Sequence, residues 1–330
     1  MFALRLWLPA LAAALAIASP AHAACERMDV VTTAWLPIMQ ATAYFAALED
    51  KLFEAQCIAI ASNRMEAPNQ IIDALIAGRA DFGPPGAAAG IAALAEAKFP
   101  GTLKVFGLQG GGAKSGFVND GLIVRPDSAI ASFADLKGKA LGHVPGIQWR
   151  TISRRMIQAA GLDPDKDVRL VELAVPLQVP AVAGGTVDAV LALEPVGSIA
   201  IASGQARRAM TNPVSQVIAD PFYSGAAVMT SRFVQERPEV ARRVVAVIDE
   251  ATRRVNADFA KYRPILPRYT PIRADQVATA AQPLLRGFGE LDDADIHSYQ
   301  ALLDVFASAK LLPGGFTAAS MLLQAAALKP

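Results

Sequence analysis

The sequence predicts an α/β fold with doubly wound sheets, and three features of residues 132–195 indicate it. Near-continuous apolar runs, such as 168–173 and 187–193, are typical of strands that are buried on both faces. The segments between the runs carry helix start and stop signals, with Pro145-Gly146 before one segment and Gly184-Gly185 after another. Strand and helix signals alternate along the stretch, which is the pattern of βαβ units in a parallel sheet.

The same alternation is predicted on both sides of this stretch. The further strands are expected at 28–32, 57–61, 79–83, 103–108, 120–125 and 223–230. The further helices are expected up to about Phe53, at 68–77, from Pro84-Pro85-Gly86 through Ala97, at 238–257 and at 293–310. Residues 109–116 are rich in glycine but lack the ending of a phosphate-binding loop, so we expect them to approach a hinge.

Five short motifs occur in the order and spacing of one protein family. They are S-x-x-D-L-K-G-K at 132–139, a glycine-bearing loop at 145–150, A-G-L-D-P at 160–164, G-x-V-D-A at 185–189 and E-P at 194–195. Together they resemble the nitrate/sulfonate/taurine group of periplasmic solute-binding proteins that feed ABC importers. The resemblance covers nearly the whole chain after its first 23 residues, although the C-terminal quarter matches only in pattern.

The resemblance implies a two-lobed α/β periplasmic-binding-protein fold of type II, in which two crossover strands join the lobes. Lobe 1 is then expected at 24–118 together with 222–330, and lobe 2 at 119–221. Such a receptor captures a small-molecule solute between its lobes and hinges shut. The implied partners are an inner-membrane ABC permease and its cytoplasmic ATPase. The resemblance implies no cofactor, and we expect a monomer that does not bind nucleic acid.

The first 23 residues have the composition of a cleavable signal peptide. Arg5 supplies the positive start, 6–18 the apolar run, and 21–23 an A-x-A cleavage site. A lipoprotein signal is the alternative because Cys25 lies nearby, but His22 stands where such a signal has an aliphatic residue. The sequence therefore predicts a secreted, periplasmic protein.

The charge balance and the few histidines argue against several classes of function. The chain has 31 basic and 30 acidic residues, which gives no excess of charge to recruit nucleic acid or an acidic membrane surface. After the signal peptide the histidines are His143 and His297, without zinc-ligand spacing, so no metal site is predicted. No G-x-S-x-G nucleophile motif occurs, and no catalytic residue is predicted. His143 is expected to pack in the core, with solute contact as the alternative.

The two cysteines, Cys25 and Cys57, are expected to form a disulfide. Cys25 precedes the first predicted strand and Cys57 opens the second. Neighbouring parallel strands would bring both residues to the same edge of the sheet, close enough to bridge, and the periplasm permits such a bond. The alternative is a free terminal thiol and a buried strand cysteine.

Candidate ligand-binding residues lie near the carboxyl ends of predicted strands, where open α/β sheets place their ligands. They are Trp35, Pro37, Gln40, Pro84, Pro85, Gly86, Gln109, Gly146, Gln148, Trp149, Arg150, Glu194 and Tyr223. For Trp35, packing in the core is an equally good interpretation. The turn at 84–86 is expected to leave the free amides of a helix start facing an anion, and an ordinary tight turn is the alternative.

Arg150 is the candidate expected to determine the charge of the solute. The predicted helix begins near Ile147 or Gln148, which places Arg150 in or close to its first turn. A cation there is unfavourable unless an anion occupies the same helix end, and arginine can grip a carboxylate or sulfonate through two hydrogen bonds. The alternative is that Arg150 turns outward and pairs with a surface acid. Trp149 is expected to supply an apolar wall.

The solute is expected to be larger than nitrate or taurine. Residues 146–151 are bulkier than the small hydroxyl residues that the family's sulfonate and taurine binders place there. Residues 35–37 instead resemble a loop of pyrimidine-precursor binders of the same superfamily. We expect an organic anion, such as a sulfonate or aromatic carboxylate, or a heterocycle. A periplasmic protein that signals through a membrane sensor and an enzyme are the less favoured alternatives.

Overall fold

The computed structural model describes residues 25–329 of the chain, and the predicted signal peptide lies outside these residues. The strands are β1 (Asp29–Trp35), β2 (Ile58–Arg64), β3 (Phe82–Ala88), β4 (Leu103–Gly111), β5 (Asp120–Val124), β6 (Lys139–His143), β7 (Val168–Glu172), β8 (Ala189–Leu193), β9 (Arg207–Thr211), β10 (Phe222–Thr230) and β11 (Leu284–Arg286). The α-helices are α1 (Thr42–Glu49), α2 (Leu52–Ala55), α3 (Pro68–Ile76), α4 (Ala89–Lys98), α5 (Ile147–Ala159), α6 (Gln178–Ala183), α7 (Val196–Ser203), α8 (Ser231–Glu236), α9 (Pro238–Ala257), α10 (Phe259–Tyr262), α11 (Leu266–Tyr269), α12 (Asp293–Ser308) and α13 (Ala318–Met321). Short 3-10 helices lie at Met39–Ala41, Phe133–Leu136, Val175–Leu177, Arg263–Ile265, Ala274–Thr279, Phe288–Glu290 and Ala325–Leu328.

Six strands form a first sheet in the order β11-β4-β10-β3-β1-β2. Strand β1 lies parallel to both β2 and β3. Strand β10 is antiparallel to β3 and β4, and β11 adds an antiparallel edge beside β4. Every residue of β10 is buried, as expected for a central strand that is covered on both faces.

The other five strands form a second sheet in the order β7-β6-β8-β5-β9. Strand β6 is parallel to β7 and β8, and β5 is antiparallel to β8 and β9. Both sheets therefore have the same arrangement. In each sheet, the first strand after the chain crosses from the other sheet (β5 or β10) lies antiparallel to both of its neighbours. The predicted two-lobed α/β fold is confirmed, and the lobes built on the first and second sheets are called lobe 1 and lobe 2 below.

The chain passes between the sheets twice, at 112–119 and at 212–221. The two passages are bonded to each other. The backbone amide of Asn119 donates to Asn212 Oδ1 at 2.9 Å, and Asn212 Nδ2 donates to the carbonyl of Phe117 at 2.8 Å. The connection between the lobes is therefore a pair of adjacent segments rather than two independent linkers.

Helix α9 coincides with the predicted segment 238–257, and its sequence explains why. Pro238 lies at the first helical position, where a backbone N–H group would have no hydrogen-bond acceptor within the helix, so its absence in proline costs nothing. Apolar residues recur along one face, and Val244 and Ile248 on that face are buried in the core that α9 shares with α1. On the polar face Arg254 forms an ion pair with Asp50 at 2.9 Å.

The helix expected to open at residues 84–86 begins later than predicted. These residues belong to β3, and α4 begins only at Ala89. The register of β3 against β10 shifts between Ala226 and Val228, so the prolines lie in an irregular stretch where a missing N–H group is tolerated. The expectation of a helix start with free amides at this turn is therefore wrong.

Cys25 and Cys57 are joined by a disulfide, with Cα atoms 5.6 Å apart. Strands β1 and β2 pair in parallel with Asp29 opposite Ile58, and the amide of Asp29 donates to the carbonyl of Cys57 at 2.8 Å. The residues just before the two strands therefore meet at the same sheet edge, as the sequence predicted.

Candidate functional site

The two lobes meet where parallel strands of both sheets end. Met39 follows β1 and Glu194 follows β8, and the amide of Met39 donates to the carbonyl of Glu194 at 3.2 Å. Open α/β sheets place their ligands at these carboxyl ends. The buried residues whose polar side chains or backbone groups lie at this contact are called the lobe junction, and they are Gln40, Gly90, Asn119, Asp120, Gln148, Glu194 and Ser224.

Gln148 joins the lobes through both ends of its amide. Its Oε1 accepts from the backbone amide of Gly90 at 2.7 Å, and its Nε2 donates to the carbonyl of Ser224 at 2.8 Å. A Cβ at position 90 would lie 2.6 Å from the ring of Phe306 and 3.0 Å from Gln148 Oε1, so glycine permits the close approach. These bonds bring the first turn of α5 in lobe 2 against α4 and β10 in lobe 1.

Gln40 lies in the short helix after β1 and contacts the first passage between the lobes. Its Nε2 donates to Asn119 Oδ1 at 2.6 Å and to Ser224 Oγ at 3.2 Å. Asn119 Nδ2 donates in turn to Asp120 Oδ2 at 2.9 Å. All four side chains are buried, so a continuous row of hydrogen bonds runs from lobe 1 to the first residue of β5.

Asp120 is the buried acid at the end of this row. Its Oδ1 accepts from the backbone amide of Val214 at 3.2 Å. Burial raises the pKa of its carboxyl to about 6, although the hydrogen bonds from Asn119 and Val214 oppose the rise. The negative charge of Glu194 raises the pKa further, and Arg208 lowers it. Asp120 therefore changes its charge just below neutral pH.

Glu194 holds the start of α7 and pairs with a partly buried arginine. Its Oε2 accepts from the amide and the hydroxyl of Ser198 at 3.1 and 2.7 Å, and its Oε1 accepts from the guanidinium of Arg208. Ser198 Oγ also accepts from the amide of Ala281 in lobe 1 at 3.1 Å. The carboxylate of this predicted site residue thus has structural partners on both of its oxygens.

Gln109 and Gly86 support the junction from lobe 1. Gln109 Oε1 accepts from the amide of Gly86 at 3.0 Å. Gly86 has a φ of +101°, and a Cβ at this position would meet the side chain of Ile38 at 3.2 Å, so both the conformation and the space require glycine. The predicted prolines of the site, Pro37, Pro84 and Pro85, are buried.

Arg150 lies away from the lobe junction. Helix α5 begins at Ile147 after Gly146, as predicted, but Arg150 Nη2 lies 3.0 Å from Glu172 Oε1 and the side chain is 55% exposed. It lines an open surface groove of about 300 Å³ between α5 and α12. Successive helical residues are about 100° apart, so a residue two positions after Gln148 points to nearly the opposite side. The outward alternative is therefore the observed one.

Three aromatic residues of the predicted set pack inside the lobes. Trp35 lies in an aromatic cluster of lobe 1, and its Nε1 donates to Ser62 Oγ at 2.7 Å. Trp149 is 1% exposed within the larger core cluster. The hydroxyl of Tyr223 donates to Asp295 at 2.6 Å. In the structure these rings make core contacts, and their predicted contact with solute stays a prediction.

Sequence reasoning missed Asn119, Asp120 and Ser224. Asn119 and Asp120 directly precede the apolar run of β5, and two polar residues at the start of a crossing strand are a signal that could have indicated them. Ser224 lies in a buried strand without any local signal. Only the pairing of β10 with β3 and β4 brings it beside Gln40 and Asn119.

The chemistry of the junction is that of hydrogen bonding between buried amides, a hydroxyl and backbone groups. Residues 25–329 contain no group of three or more His, Cys, Asp or Glu side chains arranged to hold a metal ion. In the same part of the chain, no helix combines the length and the apolar character needed to cross a bilayer. The arrangement suits the recognition of a small polar solute.

Solved structures of other proteins share this fold. The alkanesulfonate-binding protein SsuA from Xanthomonas axonopodis pv. citri, bound to MOPS, has a TM-score of 0.72 and 20% identity over 91% of this chain and 99% of its own. The periplasmic nitrate-binding protein NrtA from Synechocystis PCC 6803 has a TM-score of 0.68 and 13% identity over 87% and 83%. The desulfurization enzyme DszB, in complex with biphenyl-2-sulfinic acid, has a TM-score of 0.66 and 17% identity over 91% and 97%. At these identities the similarity shows the fold.

A comparison with curated protein sequences gave no match. The family described as NMT1/THI5 like matches residues 38–258, which run from the loop after β1 to the end of α9 and include all of the second sheet. Because this match spans more than half of the chain and the fold is that of the nitrate- and sulfonate-binding proteins, the chain belongs to the NMT1/THI5-like family, as its motifs predicted.

Proposed function

We propose that this protein is the extracytoplasmic receptor of an ABC-type importer, which captures a small organic solute between its lobes and delivers it to a membrane permease. The observation that carries the proposal is the double hydrogen bond of Gln148, which joins lobe 2 to Gly90 and Ser224 of lobe 1. A solute at the lobe junction contacts both lobes only when they are together, so it shifts the population toward the closed form. Family membership and fold support the same function.

We propose the predicted division of the chain, with lobe 1 at 24–118 and 222–330 and lobe 2 at 119–221. Sheet membership supports it, because β5 to β9 belong to the second sheet and the remaining strands to the first. The hinge is then the paired passages at 112–119 and 212–221. Residues 1–23 are proposed to direct the protein to the periplasm and to be removed there.

Within the predicted site, the residues that the junction geometry supports as ligand-facing are Gln40, Gly86, Gln109 and Gln148. All are buried near the contact between the lobes, and the three glutamines supply amide donors and acceptors. The proposed solute is an organic anion or a heterocycle.

An enzymatic function has less support. The enzyme DszB shares the fold, but fold does not determine function. Cys25 and Cys57 are joined to each other, so neither is available as a thiolate nucleophile. His143 Nδ1 is bonded to the carbonyl of Val144 at 2.8 Å, and its Nε2 has no hydrogen-bond partner within residues 25–329, so no serine or acid of that part of the chain is bonded to this ring.

Two measurements test the proposed function. A thermal-shift screen of solutes should find at least one that raises the melting temperature. At 100 times its Kd, this solute should add about 2.7 kcal/mol to the apparent free energy of unfolding. In cells, deletion of the gene should abolish uptake of that solute, and restoring the gene should recover it. Turnover of the solute by the purified protein would contradict a pure binding role.

A further inference from the structure

The amide of Gln40 has one end without a hydrogen-bond partner among the described residues. Its Nε2 donates to Asn119 Oδ1 and Ser224 Oγ, but its Oε1 has no hydrogen-bond partner among these residues, and the residue is 2% exposed. A buried carbonyl oxygen that has lost water and gained no donor costs free energy. Oε1 is therefore an acceptor at the lobe junction that a bound molecule would satisfy.

The orientation of this amide is determined by its neighbours. An ionised carboxylate only accepts hydrogen bonds, so Asp120 turns Nδ2 of Asn119 toward itself. Asn119 Oδ1 then faces Gln40, which must present its Nε2. Oε1 is consequently the end left over, and the row of three side chains makes the free group an acceptor rather than a donor.

The charges around the junction have the same preference. Asp120 and Glu194 are two carboxylates, and Arg208 is the cation that lies with them, so the three groups together carry one net negative charge when both acids are ionised. Arg150, the cation expected to bind an anion, is turned outward to Glu172. An anionic solute would thus meet both a lone pair and a net negative charge.

A second buried acceptor lies at the carboxyl end of β6. Burial lowers the pKa of His143, which favours its neutral form. Its Nδ1 donates to the carbonyl of Val144 at 2.8 Å, so Nε2, which has no partner among the described residues, carries the lone pair. Gln40, in the short helix after β1, and His143, the last residue of β6, therefore each carry an acceptor that has no donor among the described residues.

We propose that the solute is a neutral or positively charged molecule with an N–H donor, such as an amidine or an amino-substituted heterocycle, which Gln40 Oε1 accepts. Asp120 and Asn119 are positioning residues that set the polarity of this contact. The inference rests on the proposed function, since it names the class of solute that the receptor takes. It replaces the oxyanion that the sequence favoured at Arg150.

Isothermal titration and thermal shift at pH 7.5 test the inference with planar probes of matched shape. The donor probes are benzamidine and acetamidine, with cytosine as a neutral donor, and the acceptor probes of the same shape as the two amidines are benzoate and acetate. Donor probes are expected to bind at least tenfold more tightly than the oxyanions of the same shape. Equal or tighter binding of an oxyanion overturns the inference while leaving the binding function intact. Failure of every donor probe, when the thermal-shift screen finds another solute, also overturns the inference and leaves the proposed function intact, whereas failure of the whole screen counts against the proposed function itself.

Two variants separate a specific contact from a general effect. Gln40→Met keeps the volume but removes the acceptor, and it should weaken donor probes at least tenfold, whereas Gln205→Met at an exposed position should not. Asp120→Asn is the sharper test. The new amide at position 120 turns its Nδ2 toward Asn119. The side-chain amide of Asn119 should then rotate so that its Oδ1 accepts this bond, and the side-chain amide of Gln40 should rotate in response. The Nε2 of Gln40, which is a donor, then faces the solute.

The preference of Asp120→Asn should therefore shift at least tenfold from benzamidine toward benzoate. A merely structural role of Asp120 would change both affinities alike. Unchanged selectivity in this variant, at a melting temperature equal to or above that of the natural protein, would overturn the positioning role.

Discussion

Asp120 is a single carboxyl group whose burial is expected to shape the pH dependence of the whole protein. Its pKa is raised to about 6, mainly by burial, from an ordinary value of 3.8. Above pH 6 the folded state must hold a buried charge, and below it the folded state binds a proton that the unfolded chain still lacks. This group therefore lowers stability above pH 6, and the cost is relieved as the pH falls toward 4.

We expect Asp120→Asn to unfold at higher urea concentration than the natural protein at pH 7.5. The difference between a pKa of 3.8 and one of about 6 corresponds to about 3 kcal/mol, which is the upper limit of the gain. The gain should shrink between pH 6 and pH 4, because the natural acid becomes neutral there. Urea unfolding at several pH values measures it, with Asp73→Asn at an exposed position as control. A difference that is constant with pH would show that the charge of Asp120 is not responsible.

Arg150 lies on the outward face of α5, and this position is expected to limit its effect on stability and on solute binding. Its ion pair with Glu172 is more than half exposed on the arginine side, and exposed pairs contribute about 0–1 kcal/mol. We expect Arg150→Ala to change the free energy of unfolding by no more than this and to leave solute affinity unchanged. Calorimetric titration with the best-binding probe checks this prediction. A tenfold loss of affinity in Arg150→Ala would contradict it and indicate that Arg150 contacts the solute.

At the scale of elements, the disulfide links the N-terminal segment to the start of β2. The bond closes a loop with a sequence separation of 32, for which the chain-entropy argument gives about 3–4 kcal/mol. We expect the double variant Cys25→Ser, Cys57→Ser to lose stability of this order in denaturant unfolding. Reduction of the natural protein should have the same effect and leave the double variant unchanged. A variant as stable as the oxidised protein would contradict the estimate.

At the scale of the whole molecule, the proposed hinge mechanism predicts that hydrogen bonds joining the lobes set the balance between open and closed forms. Gln148 makes two of them, each contributing about 0.5–1.5 kcal/mol. We expect Gln148→Ala to increase the radius of gyration in small-angle scattering and to keep the circular dichroism spectrum. Gln158→Ala, on the exposed side of the same helix, should leave the scattering unchanged. An unaltered radius in Gln148→Ala would mean that other contacts hold the lobes together.

A bound solute should have the opposite effect to Gln148→Ala. We expect a saturating probe to reduce the radius of gyration of a protein with open lobes, because solute contacts both lobes only when they close. Secondary structure should not change, since the proposed hinge involves only the paired passages between the sheets. Scattering that is identical with and without a bound probe would contradict the hinge mechanism.

Much of the fold was predictable from local sequence. Apolar runs, glycine stops and proline starts placed β7, β10 and α9 close to their observed bounds, because each of these signals acts within a few residues. The order of motifs indicated the family, and the position of the cysteines before two adjacent strands indicated the disulfide. The helix start at residues 84–86 was misplaced, because pairing with β10 overrides the local preference of the two prolines.

The candidate site depended on tertiary structure to a greater extent. The sequence by itself determined which strands end near the junction and which polar residues, such as Gln40 and Gln148, follow them. It did not determine that Asn119 and Ser224 meet Gln40, because these residues are brought together by a crossing and a non-local strand pairing. Whether a side chain such as that of Arg150 points toward the lobe junction or away from it depends on the rotation of α5 against α4. Such rotations are set by the packing of whole elements, which no short stretch of sequence encodes.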